Sequence, residues 1–459
     1  MYQIDFKNPA HIYFVGIGGI SMSGLAEILR EEGFNVSGSD KQHSFLTEFL
    51  ENKGVRIFYG QRKENITPDI DCAIFTSAIQ PDNPEYIAVK EQNIPYLSRA
   101  ELLGQIMSNY PTSIAVSGTH GKTTTTSMIC EILLSAKLDP TLSIGGILKS
   151  IDGNIHVGKS EYFVAEACEY TNSFLSLFPK IGIILNIEED HLDFFKDLSD
   201  IRNSFHRFAS GLPKDGTLIM NGDIENVKEF TDDLSCSVIT IGRTCNCDYY
   251  YTDITYNNMG CPTFTLNGPE EVTQCISLSV PGEHNVYNAM AAIAVSDILK
   301  VSRQITTNAL LSFHGTNRRF EYKGNIGGVT IIDDYAHHPT EITATLKAAS
   351  NYPHVTTWCV FQPHTYSRTK KFLKEFAIAL SLADKIILAD IYASRENDTL
   401  GISSRDLQKE IHNLGKECFY FPSFDEIENF LLQNCINGDL LITMGAGDVV
   451  KIGEKLLGK

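Results

Sequence analysis

The stretch SIAVSGTHGKTTT, residues 113–125, decides how the rest of the chain is read. Ser113–Ser117 reads as a short strand, Gly118 and Gly121 punctuate a turn, and Lys122, Thr123 and Thr124 open a helix. Phosphates are held by backbone N–H groups that approach closely, hence the glycines. They are also held by the positive end of a helix and by a lysine beside the transferred phosphoryl group. The hydroxyl of Thr123, next to that lysine, suits a Mg²⁺ ion. The spacing departs from G-x-x-x-x-G-K-[ST], because Val116 stands where the first glycine would be. The bland alternative is a tight turn carrying a surface lysine. The strand–loop–helix order favours a nucleotide.

Similar strand–turn–helix units flank this one. Upstream, strands are predicted at Ile12–Val15, Asn35–Ser39, Val55–Tyr59 and Ala73–Thr76, with a helix that Gly33 stops. Downstream come Tyr162–Glu166 and Ile181–Asn186, then turn-rich short strands over 235–280, then a small-residue helix at Asn285–Leu299. A third series begins after about Phe320, with strands at Val329–Asp333, Val355–Phe361, Lys385–Ala389 and Leu440–Met444. At roughly 150 residues per domain, 459 residues suit three domains. The reading is an α/β protein with domains at 1–108, 109–318 and 319–459, the central one carrying a β-rich subregion.

Composition excludes several classes. A hydrophobic share of 43% and a charged share of 20% exclude wholesale disorder. No run approaches the ~20 apolar residues of a bilayer span. The first residues carry no basic segment followed by an apolar stretch, so the expectation is a cytoplasmic protein without membrane insertion. With 38 Lys+Arg against 56 Asp+Glu, the net charge of −18 argues against nucleic acid as a partner. Eleven cysteines without a Cys-x-x-Cys pair argue for reduced thiols rather than zinc or disulfides.

Polar clusters fall at predicted strand ends. Glu166 and His191 would lie on the same sheet edge as the phosphate loop, where they and Thr123 suit cations bridging phosphates and an acceptor. Taken singly, Glu166 is as well read as a helix-capping acid and His191 as a packing histidine. The turn Gly16-Ile17-Gly18-Gly19-Ile20-Ser21, with Asp40 ending the next strand, looks like a dinucleotide fingerprint whose third glycine is replaced by Ser21. It offers backbone donors to a diphosphate and leaves NAD, a nucleotide sugar or mere packing open. The segments 333–341 and 361–368 gather acids, imidazoles, a phenol and Arg368, a set suited to an α-amino acid. Helix capping within a polar loop is the alternative for either one. Gly445-Ala446-Gly447-Asp448 adds another glycine turn.

Taken in order, these segments resemble the Mur ligase family. The matching stretches are GIGGISMSGLA (16–26), SGSD (37–40), TSAI (76–79), RAEL (99–102), GTHGKTTT (118–125), EACEY (166–170) and NIEEDHLD (186–193). They continue with PGEHNVYNAMAA (281–292), NRRFE (317–321), DDYAHHPTE (333–341), FQPHTYSRT (361–369) and GAGD (445–448). The resemblance covers essentially the whole chain and is closest to the alanine-adding branch.

It implies a Rossmann-like domain for a UDP-sugar, a central P-loop ATPase domain and a Rossmann-like domain for the amino acid. The implied reaction is ATP-dependent ligation of L-alanine to the lactyl carboxylate of UDP-N-acetylmuramate through an acyl phosphate, with Mg²⁺, by a monomer or homodimer. A murein-tripeptide recycling ligase is the alternative. By resemblance, Gly16, Gly18, Ser21, Asp40, Ser77 and Arg99 belong to the UDP-sugar region. Gly118, Thr119, His120, Gly121, Lys122, Thr123, Thr124, His284, Asn285, Asn288, Arg319 and Asp333 belong to the ATP site. Thr123, Glu166 and His191 would hold the metal, and Tyr335, His337 and Arg368 the amino acid. Lys122, His191, His337 and Arg368 are the expected catalytic group. Cys168 and Tyr170 depart from the acid-rich form of that branch, and Thr365 stands where many relatives carry an arginine.

Two other readings explain less. An NAD-dependent oxidoreductase leaves the Lys122 loop unused. A noncatalytic nucleotide switch does not need the clusters at 333–341 and 361–368.

Overall fold

Buried apolar runs such as Ile12–Val15 and Ile181–Ile184 have no polar face to show to water, so they become strands covered on both sides. The computed structural model, which describes residues 2–76, 79–269, 273–394, 396–398 and 400–459, arranges them in three sheets. The first is fully parallel, in the order Arg56–Tyr59, Asn35–Asp40, His11–Val15, Cys72–Phe75, Tyr96–Ser98.

The second sheet has ten strands. Thr112–Ser117 lies between Ile181–Ile184 and Tyr162–Glu166, all parallel. Thr217–Asn221 and Ser237–Gly242 extend it, and Tyr249–Tyr256, Pro262–Asn267 and Thr273–Ser277 finish it as an antiparallel meander, the β-rich region expected over 235–280. On the other edge lies a hairpin, Thr141–Leu148 with Gly153–His156. It was not legible in the sequence, because Gly145 and Gly146 interrupt the strand pattern.

The third sheet runs Glu321–Ile326, Val329–Asp334, Leu440–Met444, Thr357–Phe361, Lys385–Leu388, Cys418–Tyr420, parallel except for its first strand. Helices Pro339–Ala349, Leu373–Leu380 and Ser404–Asn413 cover one face, and Phe424–Asn434 with Val450–Leu456 the other.

Two features of packing position the site. The helix Lys122–Ser135 lies against His284–Ile298, whose Ala289, Ala291, Ala292 and Ala294 are fully buried and permit close approach. The first two sheets also share one apolar core, which runs from Ile12 and Leu25 through Phe163 and Phe174 to Phe205. The third sheet has its own cores. The polar loops after the parallel strands of the second and third sheets meet across the gap between them, as the contacts below show. Among the described residues, no helix is long and apolar enough to cross a membrane.

Candidate active site

The phosphate loop needs its glycines. Gly118 has φ +141° and Gly121, the N-cap of Lys122–Ser135, has φ +83°. A Cβ on Gly121 would stand 2.6 Å from Oδ1 of Asn288. Asn288 is fixed in turn, because it accepts from the Thr125 hydroxyl at 3.1 Å and donates to Asn285 Oδ1 at 2.9 Å. Asn186 clamps the loop from the side: it accepts from the His120 N–H at 2.7 Å and donates to the His120 carbonyl at 3.0 Å. Thr119 accepts from the Glu188 N–H at 2.9 Å.

Lys122 curls over its own loop. Its ammonium donates to the carbonyls of Gly118 and Thr119 and to Glu169, 2.9 Å from Oε2. Burial works against the charge, but Glu169 holds the ammonium above the ordinary lysine range. The other oxygen of Glu169 lies 3.7 Å from Nε2 of His191, whose ring packs on Tyr170 with centroids 4.5 Å apart.

Glu166 accepts from the Gly145 N–H at 2.6 Å and from the Thr123 hydroxyl. Burial raises its carboxyl above the usual range. A Cβ on Gly145 would lie 2.6 Å from Glu166 Oε2, so glycine is what lets the hairpin reach this carboxylate. A half-buried carboxylate beside a hydroxyl is an oxygen donor set that Mg²⁺ takes, and Glu166 with Thr123 fits that ion.

The second and third sheets meet at His120. Its Nδ1 is 3.1 Å from Glu341 Oε1 and its Nε2 is 3.5 Å from Glu188 Oε2. Burial opposes protonation, but the two carboxylates push the imidazole up to about 9. Thr340 donates its hydroxyl to Glu188 at 2.6 Å. Among the described residues, ligand atoms of His120, Glu188 and His338 lie within 4.8 Å of one another. Both His338 nitrogens are committed, however: Nε2 to the Glu189 carbonyl at 3.0 Å and Nδ1 to the Thr340 N–H at 3.3 Å. This cluster is a hydrogen-bonded seam.

A cavity of 660 Å³ opens beside the seam and is lined by His120, Gly121, Thr124, His284, Asn285, Asn288 and Arg319. Burial lowers His284 to about 4.

Asp333, expected at the ATP site, does not reach this cavity. It is fully buried inside the third sheet, 3.0 Å from Nε of Arg318 and accepting from the Thr443 hydroxyl at 2.7 Å. Alternation along the strand turns its neighbour Asp334 toward the cavity instead.

A second cavity, of 500 Å³, lies on the other side and is lined by Tyr170, Asp190, His191, His364 and Arg368. Arg368 pairs with Asp190 across the junction, 2.7 Å from Nη2 to Oδ1, and its Nη1 is 3.0 Å from His364 Nδ1. His337 stands edge-on to His364, with centroids 5.6 Å apart. Its Nδ1 faces the Tyr335 carbonyl at 3.0 Å, which leaves Nε2 as the lone-pair nitrogen. Burial lowers His337 to about 3 and His364 to about 4.

The N-terminal glycine turn corrects an expectation. Gly16 and Ile17 donate their N–H groups to the Ser39 carbonyl, Gly19 donates to Gly16, and Gly18 donates to Asp40 Oδ2 at 2.8 Å. The amides of Gly16 and Gly18 are therefore spent within the turn and are not free for a diphosphate. What faces outward is the start of helix Ile20–Glu31, together with Ser21, whose hydroxyl accepts from Arg99 Nη1 at 3.0 Å. Burial lowers the Arg99 pKa. Ser77 lies outside the described residues.

Comparison with known proteins agrees with this geometry. Three family models match in succession: the Mur ligase family catalytic domain over 11–111, the Mur ligase middle domain over 116–296 and the Mur ligase glutamate ligase domain over 318–447. The chain belongs to the Mur ligase family. Among curated relatives, the UDP-N-acetylmuramate–L-alanine ligases of Lachnospira eligens and Agathobacter rectalis are 60% and 58% identical to this Mur ligase, each over the full length of both chains. The crystal structure of UDP-N-acetylmuramate-alanine ligase from Thermotoga maritima matches with a TM-score of 0.81 at 28% identity over 98% of both chains. A murein peptide ligase from Psychrobacter arcticus matches with 0.70 at 27% identity, also over 98% of both.

Several residues of this Mur ligase site escaped the sequence reading. Glu169, Asn186, Glu188, Asp190 and Glu341 all sit inside quoted motifs, yet their roles depend on which side chain each one meets. Glu341 lies three residues after His338, the N-cap of Pro339–Ala349, and that capping position was a usable signal.

Proposed function

We propose that this chain joins L-alanine to the lactyl carboxylate of UDP-N-acetylmuramate with cleavage of ATP to ADP and phosphate, a cytoplasmic step in peptidoglycan precursor synthesis. The observation that carries the substrate assignment is the 60% identity to a curated alanine ligase over the full length of both chains. The recycling alternative has no comparable support, since the murein peptide ligase match is lower in both identity and TM-score.

A carboxylate is a poor acylating agent because oxide would have to leave. Transfer of the γ-phosphoryl group to a lactyl oxygen gives an acyl phosphate and ADP. The neutral amine of alanine then attacks the carbonyl carbon, and the tetrahedral adduct expels phosphate to leave the amide. Positioning and charge neutralisation supply most of the catalysis.

Lys122 neutralises the β- and γ-phosphates, and the amides at the helix start, Gly121 to Thr124, cradle them; those of Thr119 and His120 are held by Asn186. His284, Asn285, Asn288 and Arg319 hold the rest of the nucleotide. Thr123 and Glu166, with His191 assigned by resemblance, would hold Mg²⁺, and the ion would offset phosphate charge. Arg368 takes the alanine carboxylate, while His337, neutral at pH 7, orients the amine through Nε2 beside Tyr335. Ser21, Arg99 and the helix start at Ile20 face the UDP-sugar, with Ser77 assigned there by resemblance. We set the domain boundaries at 108/109 and 318/319. The site lies between bodies with separate cores, which suits closure that keeps the acyl phosphate from water.

Phosphate release from ATP and Mg²⁺ with UDP-N-acetylmuramate tests this reading. It should depend on L-alanine and give a product heavier by one alanyl residue. Release with the tripeptide but not with alanine would move the chain to the recycling branch.

A further inference from the structure

Arg368 is the residue read above as the carboxylate clamp, and two of its three hydrogen-bonding sides are already taken. Asp190 Oδ1 accepts from Nε at 3.2 Å and from Nη2 at 2.7 Å, the side-on pair. His364 Nδ1 accepts from Nη1 at 3.0 Å. A guanidinium has five N–H groups, so one remains on Nη1 and one on Nη2. That end-on pair is a fork suited to a single carboxylate.

The holding group is built for the task. The Asp190 and Arg368 side chains are each only 9% exposed. Asp190 Oδ1 also accepts from the His191 N–H at 2.7 Å, which steadies a residue at φ +51°. Asp190 follows a strand of the second sheet, whereas Arg368 and His364 follow a strand of the third. The three groups come together only where the two bodies dock.

We propose that Asp190 is the positioning residue of the amino-acid site. It turns the Arg368 guanidinium so that only the end-on fork meets the incoming α-carboxylate. Because it comes from the ATP-binding body, the amino-acid site is complete only when the third sheet is docked. The proposal rests on the reading of Arg368 as the alanine clamp.

The test is steady-state kinetics on the full chain, comparing wild type, Asp190→Asn, Asp190→Glu, Arg368→Lys and the Asp190→Asn/Arg368→Lys double variant. Losing a charged hydrogen-bond partner raises KM for alanine by about 10- to 100-fold in Asp190→Asn. The KM values for ATP and UDP-N-acetylmuramate should move far less. Asp190→Glu should recover part of the loss. In the Arg368→Lys background the Asp190 substitution should add little, because the group it aims is gone. An equal rise in all three KM values, or full additivity in the double variant, would assign Asp190 a merely structural role. A lower KM for alanine in Asp190→Asn would make Asp190 a competitor for the clamp and overturn the proposal. If Asp190→Asn does not fold, Asp190→Glu decides: a rise in KM for alanine alone supports the proposal, and an equal rise in all three KM values overturns it. Wild-type turnover separates the two readings. Without alanine-dependent phosphate release the substrate assignment falls, and with it but no KM split only this proposal falls.

Discussion

Glu169 Oε2 lies 2.9 Å from the ammonium of Lys122, in a pair whose carboxylate is buried and whose other oxygen approaches His191. One side chain thus sets the position of both Lys122, proposed above for the phosphates, and His191, proposed above for the metal. Replacing it with glutamine keeps the shape and removes the charge. Glu169→Gln should lower kcat by roughly 10- to 100-fold, the effect of losing one charged hydrogen bond, and raise the Mg²⁺ concentration needed for half-maximal rate. Lys122→Ala should abolish acyl-phosphate formation, read as hydroxamate after hydroxylamine trapping. Full turnover in Lys122→Ala would refute its role.

His120 predicts a pH dependence of stability. Its imidazole moves from an ordinary 6.5 to about 9 between Glu341 and Glu188. The folded protein therefore keeps a proton that the unfolded chain releases. The stabilisation is complete below about pH 6.5 and disappears as pH rises through about 9. Its upper bound is on the order of 3 kcal/mol. Urea unfolding of wild type and His120→Asn from pH 6 to 9.5 should converge at the alkaline end. A constant difference across that range would show that the proton is not what holds the seam.

Asp333 should behave as a stability residue. Asp333→Ala leaves Arg318 without its buried partner and should cost about 2–4 kcal/mol, seen as a lower Tm. The KM for ATP should stay near the wild-type value at temperatures where the variant is folded. A large rise in KM for ATP with unchanged Tm would restore Asp333 to the nucleotide site.

At the N-terminal turn, a Cβ on Gly18 would lie 2.8 Å from Thr47 Cγ2 and 2.9 Å from Asp40 Oδ2. Gly18→Ala should break the Gly18–Asp40 hydrogen bond and shift the start of helix Ile20–Glu31. KM for UDP-N-acetylmuramate should rise by about tenfold or more, given one displaced hydrogen bond and a strained turn, with KM for ATP little altered. Equal KM values in variant and wild type would mean the turn tolerates the methyl group.

Glycine-marked turns and apolar runs were legible because they report local geometry. The strands at Tyr162–Glu166 and Leu440–Met444 match the sequence reading residue for residue. The phosphate loop was legible for the same reason, since close approach demands glycine at 118 and 121. Partner choice was not legible. Asp333 and Asp334 are chemically identical neighbours, and only strand alternation inside the folded sheet sends one to Arg318 and the other to the cavity. The Gly16–Ser21 motif named the turn correctly. It did not reveal that Ser39 and Asp40 take the turn's own amides.

The hairpin that carries Gly145 toward Glu166 also presses Ile155 onto helix Ile20–Glu31, where a Cβ on Gly24 would fall 2.0 Å from Ile155 Cγ1. Position 24 is therefore tied to position 155: any larger residue at 24 calls for a smaller one at 155. With the core that the first two sheets share, this contact predicts that they melt together, so a calorimeter should record two cooperative events for this chain rather than one for each sheet.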